Sequence, residues 1–203
     1  MSQRLFITGT DTGVGKTYIS CQLLNTWDKQ GQRTVGLKPL ASGCISTPDG
    51  LRNEDAHLLQ QAANIALPYS QINPFAFEPA IAPHLAAAAQ HTQITAKQLA
   101  TACEPALSHP ADIYLIEGAG GWQVPLNANE TWPDFVKLIQ AEVILVVGMR
   151  LGCINHALLS VESIQQSGCH LAGWIANCLP PEMPYLQENI AYLEQKITAP
   201  RLG

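Results

Sequence analysis

The sequence predicts a three-layer α/β fold, a mostly parallel sheet with helices on both faces, and three observations lead there. Apolar runs rich in Val, Ile and Leu alternate with helical stretches along the chain. Those runs are continuous rather than alternating in polarity, as strands buried on both faces are. The first run, Leu5-Phe6-Ile7, leads straight into a glycine-rich turn and then a helix.

The elements follow in order. Arg4 to Thr8 is the first strand, and a helix from Thr17 to about Lys29 stops at Gly31. The second strand, Thr34 to Lys38, is halted by Pro39. A polar loop with Ser46, Pro48, Asp49 and Gly50 leads to a helix from about Glu54 to Ala63. Between residues 66 and 83, Pro68, Pro74, Pro79 and Pro83 predict an extended connection. Helices over Ala82 to Gln90 and Ala96 to Leu107 precede a third strand, Ile113 to Glu117, which is ended by Gly118-Ala119-Gly120-Gly121. Val143 to Val147 is the fourth strand, Asn155 to Gln166 a helix, and Leu171 to Ala176 the fifth strand. Right-handed crossovers then place the loops after every strand along one sheet edge, where ligands bind in such folds. With 203 residues and no repeat, linker or low-complexity tract, one domain over 1–203 is expected.

Composition narrows the functional classes. Charged residues amount to 13%, the formal net charge is −5 and no basic cluster exists, which argues against a nucleic-acid surface. The six cysteines are scattered without a C-x-x-C pair, as suits a reducing compartment, and a cytoplasmic setting is expected. Cys153 and His156 are spaced like a fragment of a metal site, but no second pair stands near them, and a helix start accounts for both. The N-terminus lacks a signal-peptide pattern, and no apolar run approaches the ~20 residues that cross a membrane.

Residues 9–17 read Gly-Thr-Asp-Thr-Gly-Val-Gly-Lys-Thr. Backbone N–H groups of such a turn, together with the positive end of the following helix, suit a nucleoside triphosphate. Lys16 can reach the outer phosphates and the Thr17 hydroxyl can ligate magnesium. One irregularity stands out: in the pattern G-x4-GK the first glycine falls at Thr10, and Gly9 sits one residue early. Glu117 ends an apolar strand, where a carboxylate can meet the magnesium ion; a solvent-facing acid would fit the same position. Asp55 begins a helix and is weak evidence alone. Lys38 ends a strand and is fixed by Pro39, which suits a cation near a transferring phosphate as well as a plain strand-end lysine. Asn177 follows the fifth strand; its amide matches the N6/N7 edge of adenine, and a turn asparagine is the alternative. Leu151-Gly152-Cys153-Ile154-Asn155 joins a strand to a helix, either as an anion site or as a helix start capped by Asn155.

Seven segments in register resemble the dethiobiotin synthetase family of P-loop NTPases, over nearly the whole chain: residues 9–17, 38–43 (Lys-Pro-Leu-Ala-Ser-Gly), 53–56 (Asn-Glu-Asp-Ala), 82–87 (Ala-Pro-His-Leu-Ala-Ala), 117–121 (Glu-Gly-Ala-Gly-Gly), 151–157 (Leu-Gly-Cys-Ile-Asn-His-Ala) and 172–177 (Ala-Gly-Trp-Ile-Ala-Asn). The resemblance implies an ATP-dependent cyclo-ligase that joins 7,8-diaminononanoate and carbon dioxide into the ureido ring of dethiobiotin. It implies ATP bound by Gly13, Val14, Gly15, Lys16, Thr17 and Tyr18, by Asp55, by Glu117, Gly118, Ala119 and Gly120, and by Asn177 with Cys178. Magnesium would lie among Thr17, Asp55 and Glu117, and Lys38 would be the catalytic lysine. Ser42 would contact the diamine or its carbamate, Thr12 would lie near the substrate, and Leu151, Gly152, Cys153, Ile154 and Asn155 would bind the substrate carboxylate across the interface of a homodimer.

The sequence departs from the family at three places. Gly13 stands where some relatives carry glutamate, Cys178 stands where aspartate is frequent, and relatives continue past Gly203 with a segment that helps enclose the adenine. Other readings fare worse. A partition-type ATPase switch carries a second lysine five residues before the one equivalent to Lys16, and here that residue is Asp11. An amidase-coupled synthetase needs a further domain, and a small-molecule kinase needs an arginine-rich lid. A Rossmann oxidoreductase needs a G-x-G-x-x-G that follows none of the strands.

Overall fold

The computed structural model describes residues 2–178 and 183–202, so that Gly203, named above, lies outside it. In chain order the elements are β1 (Gln3–Gly9), α1 (Lys16–Lys29), β2 (Thr34–Leu37), β3 (Leu40–Ala41), β4 (Ile45–Thr47), β5 (Gly50–Arg52), α2 (Glu54–Ala62), α3 (Tyr69–Ile72), β6 (Phe75–Ala76), α4 (Pro83–Ala89), α5 (Ala96–Leu107), β7 (Ile113–Gly121), α6 (Trp132–Leu138), β8 (Glu142–Met149), α7 (Cys153–Gln166), β9 (Leu171–Cys178) and α8 (Leu186–Lys196).

The five strands expected from the sequence are β1, β2, β7, β8 and β9. They make one sheet in the order β2-β7-β1-β8-β9, every neighbouring pair parallel. Alternate residues face opposite layers. Leu5, Ile7, Leu115, Ile144 and Val146 meet Leu24 of α1 and Leu59 of α2 on one side. On the other side Phe6, Ile116, Leu145 and Val147 share a core with Leu99, Phe135, Ile164 and Leu193 from α5 to α8. Phe6 anchors this second layer, with the Trp132 ring 5.3 Å away and the Trp122 and Phe135 rings both at 6.1 Å. Among the described residues no helix is long and apolar enough to cross a membrane.

Several details differ from the expectation. β7 does not end at Glu117 but runs to Gly121, which pairs with Gly9. Glycine makes this possible, because a Cβ on Gly118 would lie 2.6 Å from Phe6 Cζ. The connection over 66–83 holds α3 and also β6, which pairs in parallel with β3. The polar loop around Pro48 is the tip of a small hairpin, β4–β5. Helices α6 and α8 were not foreseen. The helix expected from Asn155 starts at Cys153, and its N-cap is Gly152 at φ 95°, so Asn155 is not the cap.

One close approach holds the glycine-rich turn to the sheet. Gly148 of β8 faces Val14 so tightly that a Cβ would stand 2.8 Å from Val14 Cγ1 and 3.0 Å from its Cβ. Val14 is wholly buried and cannot retreat. Gly148→Ala is expected to destabilise the fold by about 1–3 kcal/mol and to weaken nucleotide binding. Denaturant midpoints and a nucleotide titration check both.

Candidate active site

The phosphate-binding turn takes its shape from three glycines. At the end of β1, a Cβ on Gly9 would meet Val14 Cγ2 at 2.6 Å and the Asp11 carbonyl oxygen at 2.9 Å. Gly13 and Gly15 adopt left-handed φ values of 71° and 84°, which suit glycine. Thr10, where the strict pattern has glycine, still donates its N–H to Val146 O at 3.0 Å. It therefore prolongs the strand, and the turn begins one residue later than the pattern assumes. α1 starts at Lys16 with no side chain capping it, which leaves its first N–H groups for an anion.

Behind the turn lies a buried cluster of charges. Lys38 is 4% exposed and Glu117 not at all. Lys38 Nζ donates to Glu117 Oε1 at 2.6 Å and to the Gly118 carbonyl at 3.3 Å, and it pairs with Asp55 Oδ2 at 3.1 Å. Glu117 also accepts from Thr17 Oγ1 at 2.9 Å and from Ser20 Oγ at 2.7 Å. Ser20 was not anticipated. It stands three residues from Thr17, so both hydroxyls share one face of α1, and that spacing was the available signal. Lys16 Nζ reaches back to the Asp11 carbonyl at 3.2 Å.

The electrostatics follow from burial against pairing. Burial, then the nearby Lys38 charge, lowers the Lys16 ammonium to about 8, although Glu117, Asp55 and Asp11 oppose the shift. Burial would lower Lys38 too, but the charges and hydrogen bonds of Glu117 and Asp55 outweigh it and raise its pKa. Burial would raise the Asp55 carboxyl. Lys38, by charge and hydrogen bond, then the Thr17 hydroxyl and Lys16, hold it below the ordinary carboxylate range.

These residues floor a cleft of about 760 Å³, which Thr12, Gly13, Gly15, Ser42, Ala119 and Gly120 also line. One wall is apolar, built from Ala41, from residues 80–83 and from Val124 and Pro125. Sequence reasoning quoted part of that wall in the Ala-Pro-His segment without giving it a role. The Asp55 and Glu117 carboxylates both meet Lys38 and the Thr17 hydroxyl joins Glu117, and such hard oxygen donors are the type that magnesium takes.

The other expected residues stand outside the cleft lining. Val14 is buried in the core and Tyr18 is exposed. Gly118 contributes its carbonyl to Lys38. Asn177 is buried within the end of β9, not after it, and its Nδ2 donates to the Val14 carbonyl at 2.8 Å. Cys178 is exposed beside it. Leu151, which is 95% exposed, and Gly152 precede α7, while Cys153, Ile154 and Asn155 form its first turn. Arg150, just before them, forms an ion pair with Asp11 of the phosphate turn.

A parallel sheet with a glycine-rich turn, an uncapped helix, and lysine and acidic residues at its edge defines a nucleoside-triphosphate-dependent P-loop protein. The family described as AAA domain matches residues 3–203. The chain is 52% identical over 198 residues to the ATP-dependent dethiobiotin synthetase BioD of Cellvibrio japonicus, covering 98% of this chain and 86% of that protein. It is 51% identical to the namesake from Marinobacter nauticus, over 98% of this chain and 85% of that one. For Aeromonas salmonicida the figures are 46% identity, 100% and 90%. The chain belongs to the ATP-dependent dethiobiotin synthetase family. Its fold resembles the signal recognition particle receptor FtsY from Elizabethkingia anophelis in complex with GDP, with a TM-score of 0.56 and 15% identity. That match covers 99% of this chain and 56% of the receptor chain, and it bears on the fold alone.

The charge cluster is a stability statement. Glu117→Ala strands Lys38 with one partly exposed partner, and breaking such a buried pair costs about 3–5 kcal/mol. Lys38→Met with Glu117→Leu is expected to recover part of that loss, because it removes both charges. Urea unfolding of the parent, the single variant and the double variant measures the difference.

Proposed function

We propose that this chain is a dethiobiotin synthetase, closing 7,8-diaminononanoate and carbon dioxide into a cyclic urea at the expense of ATP. The observation that carries the reading is the meeting of Lys16 and Thr17 of α1, Lys38 just after β2, Asp55 of α2 and Glu117 of β7 at one end of a cleft with an apolar wall. The family membership supports the same reaction and does not favour the partition-type switch.

On this reading one amine captures carbon dioxide as a carbamate. The carbamate oxygen attacks the γ-phosphate and releases ADP. The second amine attacks the carbonyl carbon of the resulting carbamic-phosphoric anhydride, closes the ring and expels phosphate. An anionic carbamate must approach an anionic triphosphate, and Lys16 and Lys38 offset that repulsion. Thr17, Asp55 and Glu117 would hold magnesium, which would neutralise charge on the phosphates. Thr12 and Ser42, which line the cleft, would hold the amines, and ring closure between fixed groups gains up to ~7–11 kcal/mol from positioning. No protein nucleophile is needed.

Gly13 to Tyr18 and Glu117 to Gly120 would hold the nucleotide, with Asn177 and Cys178 at the adenine. The first N–H groups of α7, around Leu151 to Asn155, would take the substrate carboxylate from the second subunit of a homodimer. The uncapped start of that helix supports this assignment. The whole chain would act as one ligase domain in the cytoplasm, a setting that its six free thiols suit.

The decisive assay supplies ATP, magnesium, bicarbonate and 7,8-diaminononanoate and looks for the cyclic urea by mass. Nucleotide hydrolysis without that product would return the switch reading. Lys38→Ala is expected to lower kcat by at least about 10²–10³-fold while ATP binding falls less. Equal turnover in variant and parent would remove Lys38 from the mechanism.

A further inference from the structure

Lys38 stands one residue beyond the sheet. The register of β2 with β7 ends at Leu37 and Ile116, so the ladder does not fix the lysine's own peptide groups. Its N–H donates instead to Ile72 O at 2.9 Å, and its carbonyl accepts from Asn73 Nδ2 at 2.6 Å. Both partners come from α3 and the residue after it. Asp55 is tied to the same place. It sits in the first turn of α2, whose N-cap Asn53 accepts the Ala56 N–H at 3.1 Å. The Asn53 N–H in turn donates to the Tyr69 hydroxyl at 2.7 Å, and that hydroxyl donates to Asn73 Oδ1 at 3.1 Å.

The result is one unbroken chain of hydrogen bonds: Asn53 N–H to Tyr69, Tyr69 to Asn73, Asn73 to the Lys38 carbonyl. Every donor and acceptor is used in a consistent sense. Asn73 and Lys38 are each 4% exposed, so water cannot substitute for a lost link. The Arg52 guanidinium lies 4.3 Å over the Tyr69 ring. α3 has four residues, too few to hold itself in place, and its position is set by what it binds.

We propose that Tyr69 and Asn73 are positioning residues, which hold the Lys38 backbone and the start of α2 at a fixed separation so that Lys38 and Asp55 meet beside Glu117. The proposal rests on the roles of Lys38 and Asp55 given above. Tyr69 and Asn73 touch no substrate on this account and act only through those two residues.

The test compares Tyr69→Phe with Tyr114→Phe. The latter removes a hydroxyl that donates to the His109 carbonyl at the start of β7, remote from the cleft. Two quantities are read: kcat for cyclic urea formation, and the magnesium concentration giving half-maximal binding of a fluorescent ATP analogue. Tyr69→Phe is expected to lower kcat about tenfold and raise the magnesium requirement by a similar factor, with the ATP KM within about twofold. Tyr114→Phe is expected to lower the melting temperature while leaving both quantities at the parent values. If Tyr69→Phe matches Tyr114→Phe in both, the proposal is overturned. Should Tyr69→Phe not fold, Asn73→Ala is read by the same two measurements. If the parent binds magnesium and ATP but forms no urea, the ligase reading fails, and the magnesium shift alone decides the positioning role.

Discussion

A lysine almost without solvent, held between two carboxylates, is the constraint on which the rest of this structure depends. Taking Lys38 and Glu117 out of water costs several kcal/mol per ion, and only close, well-satisfied pairing compensates. The sheet order supplies that pairing. β7 lies between β2 and β1, so Glu117 has Lys38 on one side and the helix that follows β1 on the other. That helix brings Thr17 and Ser20 to the remaining lone pairs of Glu117, while α2 delivers Asp55. Lys16 and Lys38 set against Asp55 and Glu117 leave the four charges formally balanced. On the proposed reading a triphosphate would meet a site with no large excess of either sign, and the uncapped N–H groups of α1 would be its first favourable contacts.

The other half of the sheet restrains the phosphate turn. Thr10 is bonded to β8, Gly148 leaves Val14 no room to shift, Asp11 is paired with Arg150, and Asn177 binds the Val14 carbonyl. Asn177 spends only one amide N–H on this bond. Among the described residues the other N–H and the amide oxygen make no hydrogen bond, so holding the turn is compatible with the proposed role of this amide at the adenine edge.

What could be read from the sequence, and what could not, separates along physical lines. The five parallel strands were legible because burial on both faces forces continuous apolar runs. The helix Ala96–Leu107 was legible to the residue, and the structure shows Thr95 and Gln98 forming a capping box at its start. α6 carries the same device in Thr131 and Asp134, but its seven residues gave no periodicity to confirm it. The hairpin β4–β5 looked like a loop because its side chains are largely exposed and carry no alternation. β7 outran Glu117 because glycines that usually end a strand here make room for Phe6. In the site, Lys38 and Glu117 were visible as polar residues closing apolar runs. The Tyr69–Asn73 link was not, because its bonds to Asn53 and Lys38 span 16 and 35 residues and its own residues lie in a proline-rich stretch with no regular pattern.

The apolar wall completes the argument about substrate. Pro83 and Ala41 of this wall are buried, but Ile81 is 45% exposed and leaves apolar area open at the cleft. Exposed apolar area at a pocket is favourable only when something covers it, at roughly 25 cal/mol per Å². A triphosphate cannot, since its surface is charged. A chain of methylene groups ending in two amines can lie along the wall while the amines reach the polar floor near Ser42 and Lys38. A charged floor and an oily side are thus compatible with the aliphatic diamine of the proposed reaction.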